Sequence, residues 1–229
     1  MSSPDDVQAQ YERRKESVPV DRYAFTNDDV FRGAQENDAA TRRMILDAGL
    51  GSFSDLRVLE VGCGTGDNLL RFLRWGCLPE NLVGNELLDD RVTLARHRLP
   101  QALAIHAGDA TQLSFEQPFD VVFQSTVFSS VLDPEVQMAL ARRMWSLVRP
   151  GGIVLSYDFV FDNPANPDVR KVTPARLGEL FPEGALTSRR VTLAPPIARR
   201  VAGHGIVYRL LRAIPWLRTH RVVAIAKPA

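Results

Sequence analysis

An α/β fold, in which a doubly wound parallel sheet carries helices on both faces, is the class that this 229-residue sequence predicts. Three observations predict it. From LRVLEVG onward, short β-branched runs alternate with segments of helical spacing. The first run opens into a glycine-rich turn, GCGTG, and the next two strand-like runs end on carboxylates, Glu86 and Asp109. In sheets of this kind ligands bind beyond the carboxyl ends of the strands, near the point where strand order reverses, so functional residues are expected just after strands.

The elements follow in order. The first thirty residues are polar and broken, with aromatics at Tyr11, Tyr23 and Phe25, and NDAATRRMILDAGL from Asn37 then carries Ala40, Met44, Leu46 and Ala48 at near-helical spacing. LRVLEVG is the first strand, and DNLLRFLRWG a helix with Leu69, Leu70, Phe72 and Leu73 on one broad side and Gly76 as its stop. NLVGNEL, ALAIHAGD and FDVVFQS are the next strands, with DDRVTLARHRL the helix between the first two of them. Asp133 followed by Pro134 is a helix start, a capping side chain with proline in the first turn, and the helix runs to RPGG. GGIVLSYDF is a fifth strand, TPARLGELF a helix from Thr173 and Pro174, and ALTSRRVTLA a sixth strand. PPIARRV to RLLRAI is largely helical, weakened at AGHGI, and THRVVAIAKP closes the chain as a strand.

With 45% hydrophobic and 24% charged residues the composition is that of an ordinary globular domain. One domain over residues 1–229 is expected, with an N-terminal lid or cap (1–36), a cofactor-binding half (37–160) and an acceptor loop with the sheet-completing remainder (161–229). No apolar run approaches the roughly 18 residues of a membrane span, and MSSPDDVQAQYERRKE lacks the apolar core of a signal peptide, so a cytoplasmic location is expected. Cys63 and Cys77 read as reduced thiols rather than a disulfide. The net charge of +1 hides an asymmetry: from Ala185 onward there are nine basic residues and no acidic one, leaving 19 basic against 27 acidic side chains before it. Such a tail can meet phosphate, an anionic membrane surface or the acidic body of the same domain.

In VLEVGCGTGDNL, glycines 62, 64 and 66 free the turn to approach a ligand, and the helix that follows offers unpaired N–H groups. Glu86, twenty residues beyond Gly66, can accept from ribose hydroxyls, and Asp109 can face an adenine amine. The spacing is GxGxG rather than the dinucleotide GxGxxG, and Glu60 ahead of it would repel a pyrophosphate and favour a cationic amine. Adenine, ribose and a charged amino-acid tail together describe S-adenosylmethionine; a nicotinamide-dependent oxidoreductase is the weaker alternative.

At these residues the sequence resembles the class I S-adenosylmethionine-dependent methyltransferases, from about Asn37 to Phe159 by motif and through the C-terminal strands by architecture. The resemblance implies a Rossmann-like, mostly parallel seven-stranded sheet with the last strand antiparallel beside the fifth. It also implies that Glu60, Gly62, Cys63, Gly64 and Gly66 hold the methionine part, Glu86 the ribose, Leu87 a face of the adenine, and Asp109 with Ala110 its edge, with Gln124 between cofactor and acceptor. S-adenosylhomocysteine would be the product. Asn85, where a small apolar residue is more usual, is a harmless departure.

Methyl transfer from a sulfonium is an in-line displacement, so the protein must align donor and acceptor and, for a hydroxyl, remove a proton. QSTVFSS lacks the Asn/Asp-Pro-Pro-aromatic run of amide and base N-methylating families. Short blocks such as SYDFVFDNPANPDVR are similar to bacterial methyltransferases of glycan assembly, which implies a hydroxyl of a small molecule or sugar as acceptor; a small amine is the alternative. Asp158 is the expected general base and His204 the second candidate; Tyr157, Asn163, Asn166, Arg170, Phe128 and Tyr23 are the expected acceptor contacts. Asp158, Asp162 and Asp168 could supply hard ligands but are dispersed over a proline-containing loop, so no metal is expected. A non-catalytic partner subunit of the same fold is a further alternative. Nucleic acid is not expected, because aromatic residues are sparse in the basic segment, whereas apolar residues among its arginines suit peripheral membrane contact.

Overall fold

Seven strands, β1 (Val58–Val61), β2 (Leu82–Glu86), β3 (Ala104–Ala107), β4 (Phe119–Ser125), β5 (Val148–Phe159), β6 (Ala185–Leu193) and β7 (Arg218–Ala226), form one sheet in the computed structural model, which describes residues 21–162 and 166–229. Their order is β3-β2-β1-β4-β5-β7-β6. β1 pairs in parallel with both β2 and β4, so strand order reverses there and opens a crevice between their C-terminal ends. β7 runs antiparallel between β5 and β6, as the family resemblance implies.

Eight helices accompany the sheet among the described residues: α1 (Asp28–Asp47), α2 (Asp67–Arg74), α3 (Asp89–Arg98), α4 (Val127–Ser130), α5 (Pro134–Leu147), α6 (Pro174–Leu180), α7 (Pro195–Val201) and α8 (Gly205–Ala213). Both faces of β1 and β2 are buried, the state of parallel strands covered on each side. Side chains alternate between two cores. Val121 and Phe123 of β4 pack with Met44 of α1, Phe72 of α2 and Val92 of α3. Val122, one residue out of phase, packs with Leu140 and Met144 of α5 and Leu177 of α6 on the opposite face. The expected caps form: Asp133 accepts from the N–H groups of Glu135 (2.8 Å) and Val136 (3.4 Å), and the Thr173 hydroxyl accepts from Arg176 N–H (3.2 Å).

Two expectations need correction. α1 begins at Asp28, nine residues before Asn37, and its buried face is Glu36, Asn37, Thr41, Met44 and Ile45, with Leu46 turned to solvent. The buried side of its middle is polar and therefore invisible to apolar periodicity. The Thr41 hydroxyl donates to Asn37 (2.9 Å), and Glu36 accepts from the Tyr208 hydroxyl (2.7 Å) and Thr192 N–H (3.0 Å). The C-terminal helical stretch is two helices, broken at Ala202–His204, where AGHG interrupts it.

Candidate functional site

A cavity of about 550 Å³ opens at the C-terminal ends of β1 to β4. The loop Gly62–Thr65, Asn68 of α2, Glu86 and Leu87 after β2, Gly108–Thr111 after β3, and Ser125–Val127 after β4 line it, with Val131, Val136 and Leu140 as an apolar wall. Gly62 has φ +66°, and a Cβ there would lie 2.5 Å from Cγ2 of Val127, so glycine lets the first loop pass against the start of α4.

Glu86 organises the crevice. Its carboxylate is buried and accepts from Gly64 N–H (2.8 Å) on one oxygen and from Leu87 (2.9 Å) and Leu88 N–H (3.0 Å) on the other. One side chain thus ties the loop after β1 to the loop after β2. Asn85 anchors the third loop, donating to the carbonyls of His106 (3.2 Å) and Gly108 (2.9 Å), so the residue that departs from the family pattern has a definite structural use. Asp109, half-buried on the cavity, accepts from the N–H and hydroxyl of Thr111, both at 2.8 Å, and so fixes the turn that presents Ala110.

Other expected cofactor residues stand behind this surface. Glu60 is fully buried and does not line the cavity; Asn68, which does, donates to its Oε1, while Oε2 has no hydrogen-bond partner. Burial pushes the Glu60 carboxyl up to about 8, against the lowering effects of the Asn68 hydrogen bond and the Arg71 charge. The hydrogen bond to Asn68 links Glu60 to the cavity lining. Gly66 is the N-cap of α2 with φ +89°, and a Cβ there would lie 2.6 Å from Leu99 Cδ1; it is a packing position off the cavity. Cys63 lines the cavity, its N–H donates to Asn85 O (2.8 Å), and burial pushes its thiol up, so it stays protonated.

Beneath the loop after β4 lies a buried polar network. Gln124 Nε2 donates to Ser156 Oγ and to Asp158 Oδ2, both at 2.6 Å, while its Oε1 accepts from Val127 N–H (2.8 Å) and Phe128 N–H (3.4 Å). Asp158 also accepts from Ser156 Oγ (3.2 Å) and, on Oδ1, from Ser129 N–H (3.3 Å). Above this network Thr126 adopts φ +60°, a left-handed conformation uncommon for a β-branched residue. It is held by its N–H on Tyr157 O (2.8 Å) and by the hydroxyls of Ser129 (3.0 Å) and Ser130 (2.9 Å) on its carbonyl. Thr126 and Ser130 line the cavity; nothing in the sequence pattern marks them, because a positive φ at threonine has no compositional signal.

Asp158, the expected base, is buried in this network and does not line the cavity; burial raises its carboxyl to about 6. Gln124 is likewise fully buried below the loop. Phe128 packs into the core, its ring 6.0 Å from that of Phe181, and is not a surface for an acceptor. Tyr157 points to the other side of the sheet, its hydroxyl 3.0 Å from Thr192 Oγ1 and its ring stacked 5.1 Å from His220. His204 is exposed between α7 and α8, and Tyr23 is exposed before α1; neither lines the cavity. Asn166 accepts from Asp168 N–H (3.1 Å), and exposed Arg170 ties its loop to α4 through its N–H on Ser129 O (2.9 Å). Asn163 and Tyr11 lie outside the described residues. The acidic residues considered as metal ligands do not converge: Asp158 is in the network, Asp162 pairs with Lys171 at 3.1 Å, and no group of three or more potential ligands occurs among the described residues.

Residues 58–152, from β1 into the start of β5, match the family model described as a methyltransferase domain. The chain is 32% identical over 153 residues to a dTDP-3-amino-3,4,6-trideoxy-alpha-D-glucopyranose N,N-dimethyltransferase of Streptomyces venezuelae, covering 61% of this chain and 62% of the relative. It is 33% identical over 103 residues to a demethylmenaquinone methyltransferase of Roseiflexus castenholzii, covering 43% and 40%. These matches span less than two thirds of the relatives' own lengths. Among solved structures, the Burkholderia thailandensis 1,6-didemethyltoxoflavin-N1-methyltransferase, with 1,6-didemethyltoxoflavin and S-adenosylhomocysteine bound, shares the fold with a TM-score of 0.65 at 21% identity, over all of this chain and 92% of that one. The methyltransferase-domain match over the strands that build the cavity, with the sheet order of that fold around it, supports the class I S-adenosylmethionine-dependent methyltransferases as the family that this chain resembles.

Proposed function

We propose that the cavity binds S-adenosylmethionine and that the protein transfers its methyl group to an amine of a small molecule, leaving S-adenosylhomocysteine. One observation carries the cofactor assignment. Three backbone N–H groups occupy three of the roughly four acceptor positions of the Glu86 carboxylate, which leaves capacity for a ribose hydroxyl in the cavity that Glu86 lines. Leu87 then covers one face of the adenine, Asp109 and the Ala110 N–H take its edge, and Gly62–Thr65 with Asn68 hold the amino-acid end. Glu60 steadies Asn68 from behind. When bound, the cofactor supplies a methyl group already activated on a sulfonium. The chain's own task is to hold the acceptor in line and keep water out, for which Val131, Val136 and Leu140 provide an apolar wall beside Ser125, Thr126 and Ser130.

The acceptor class follows from Asp158. Both its oxygens are engaged below the Thr126 turn, so its role is to position that turn, and the remaining carboxylates on the cavity, Glu86, Asp109 and Asp67, belong to the cofactor end. An amine that loses its proton to solvent before transfer needs no side-chain base. The similarity to an amino-sugar N,N-dimethyltransferase supports the same class. The second reading, a sugar hydroxyl with Asp158 as base, is favoured by that carboxyl's rise to about 6, toward the range a general base uses. The test is calorimetric titration with S-adenosylmethionine and NADH, followed by radiolabelled methyl transfer to matched panels of amino sugars and neutral sugars. Binding of S-adenosylmethionine alone and label in amino sugars are expected; label only in neutral sugars would overturn the amine assignment, and NADH binding alone the cofactor.

A further inference from the structure

The excursion between β6 and β7 carries more apolar surface than the fold uses. α8 turns Tyr208 inward, with Leu211 packed against the small cluster of Leu193, Ala198 and Tyr208. Its other side is apolar as well: Ile206 and Leu210 are 77% and 66% exposed, and Trp216 just after the helix is 73% exposed. Scattered exposed hydrophobics need no explanation, but a helix apolar on both sides has a second partner. The start of α1 lies beside the excursion. Arg32 Nε donates to Ala202 O (3.0 Å) and its guanidinium lies over the Tyr208 ring (5.1 Å), which brings exposed Phe31 to the same end of the sheet.

Charge selects the partner. Arg199, Arg200 and Arg209 are exposed on α7 and α8, and no acidic residue follows Glu183. At the end of α8, Arg212 enters a hollow of about 460 Å³ lined also by Arg43, Arg189, Arg190 and Arg218, where Glu36 pairs with Arg212 (3.3 Å) and Asp47 with Arg43 (2.8 Å) and Arg189 (3.0 Å), so the arginines still outnumber the carboxylates. A second copy docked by twofold symmetry would set this positive surface against itself, which opposes self-association through it. A bilayer of anionic lipid satisfies both features, with phosphates for the arginines and an interfacial layer for Ile206, Leu210 and Trp216.

We propose that the α7–α8 excursion docks the protein on anionic membrane surfaces through Ile206, Leu210 and Trp216, with Arg199, Arg200 and Arg209 on lipid phosphates. This stands independently of the acceptor. The experiment is co-sedimentation of the full chain with vesicles of phosphatidylcholine alone and vesicles that also contain phosphatidylglycerol, together with Trp fluorescence of the protein and of Trp216→Phe. Binding to the phosphatidylglycerol vesicles is expected to exceed that to phosphatidylcholine by about tenfold and to weaken with added salt. Ile206→Asp with Leu210→Asp, and separately Arg209→Glu, are expected to lower it by about tenfold or more with the unfolding midpoint unchanged, because these side chains are exposed. The blue shift on binding is expected to vanish in Trp216→Phe. Equal binding to both vesicles, binding that survives the double variant, or a concentration-dependent dimer that Leu210→Asp dissolves would each overturn the proposal.

Discussion

Replacing Asp158 with asparagine separates a base from a positioning residue. Burial raises its carboxyl from 3.8 to about 6, so the folded state holds the proton more tightly than the unfolded chain. The stabilising contribution is complete below 3.8 and is lost as pH rises through about 6, which leaves the ionised group costing about 3 kcal/mol at neutral pH. Asparagine removes that cost but sets an amide NH₂ against either Gln124 Nε2 or Ser129 N–H. Gln124 cannot rotate to relieve the clash without losing the bonds from Val127 and Phe128 to its Oε1. A donor facing a donor costs about 1–3 kcal/mol, so the two effects nearly cancel at pH 7.5, and the variant is the less stable protein at pH 4.5. The assay is urea unfolding of both proteins between those pH values, with turnover and cofactor affinity measured in parallel. The stability difference between the two proteins is expected to change by about 2–3 kcal/mol across the range, and turnover to fall by roughly tenfold, as for a displaced turn. A loss of about a thousandfold, with cofactor affinity and stability untouched, would make Asp158 the base and refute this reasoning.

Glu86→Gln keeps the shape but turns an amide donor on either Gly64 N–H or the Leu87 and Leu88 N–H pair; S-adenosylmethionine affinity is expected to fall about 10- to 100-fold by calorimetry, and unchanged affinity would remove Glu86 from the site. Gly62→Ala must hold φ +66° and displace Val127 from a 2.5 Å approach; a loss of about 2–3 kcal/mol in urea unfolding is expected, together with weaker cofactor binding. Glu60, raised from 4.5 to about 8, stabilises the fold at low pH and loses that contribution as pH rises through 8. The thermal midpoint of the natural protein is therefore expected to drop between pH 6 and 9, by the equivalent of about 2–3 kcal/mol, while that of Glu60→Gln falls much less.

Legibility in the sequence tracked the physical origin of each feature. Strands buried on both faces announce themselves as β-branched runs, and ligands gather at their ends, so Glu86, Leu87, Asp109 and Ala110 are found on the cavity from spacing and resemblance alone. Facing is harder. Glu60 and Gln124 belong to the right strands, yet one sits behind Asn68 and the other under Val127. Phe128 and Tyr157 fail as acceptor contacts for the same reason, since strand-end position does not say whether a side chain meets the cavity or a core. The polar stretch of α1 was illegible because Glu36 is satisfied by Thr192 and Tyr208, 156 and 172 residues away.

The network under Thr126 shows what holds the edge of the cavity after β4. A threonine in the left-handed region costs of order 1–3 kcal/mol and persists only where its surroundings over-determine it. Here Tyr157 O holds its N–H, Ser129 and Ser130 hold its carbonyl, and Gln124 fixes the next residue. Gln124 is in turn fixed by Ser156 and Asp158, so β4, β5 and α4 meet in one set of bonds. An apolar residue at Gln124 or Asp158 would leave the N–H groups of Val127 and Phe128 or of Ser129 without an acceptor and free the turn. Keeping both polar side chains sets Ser125, Thr126 and Ser130 at one position on the cavity, opposite the loops that Glu86 ties together. An in-line displacement whose methyl group is already activated depends on alignment above all, and under the proposed function alignment at the acceptor side rests on the α4 turn.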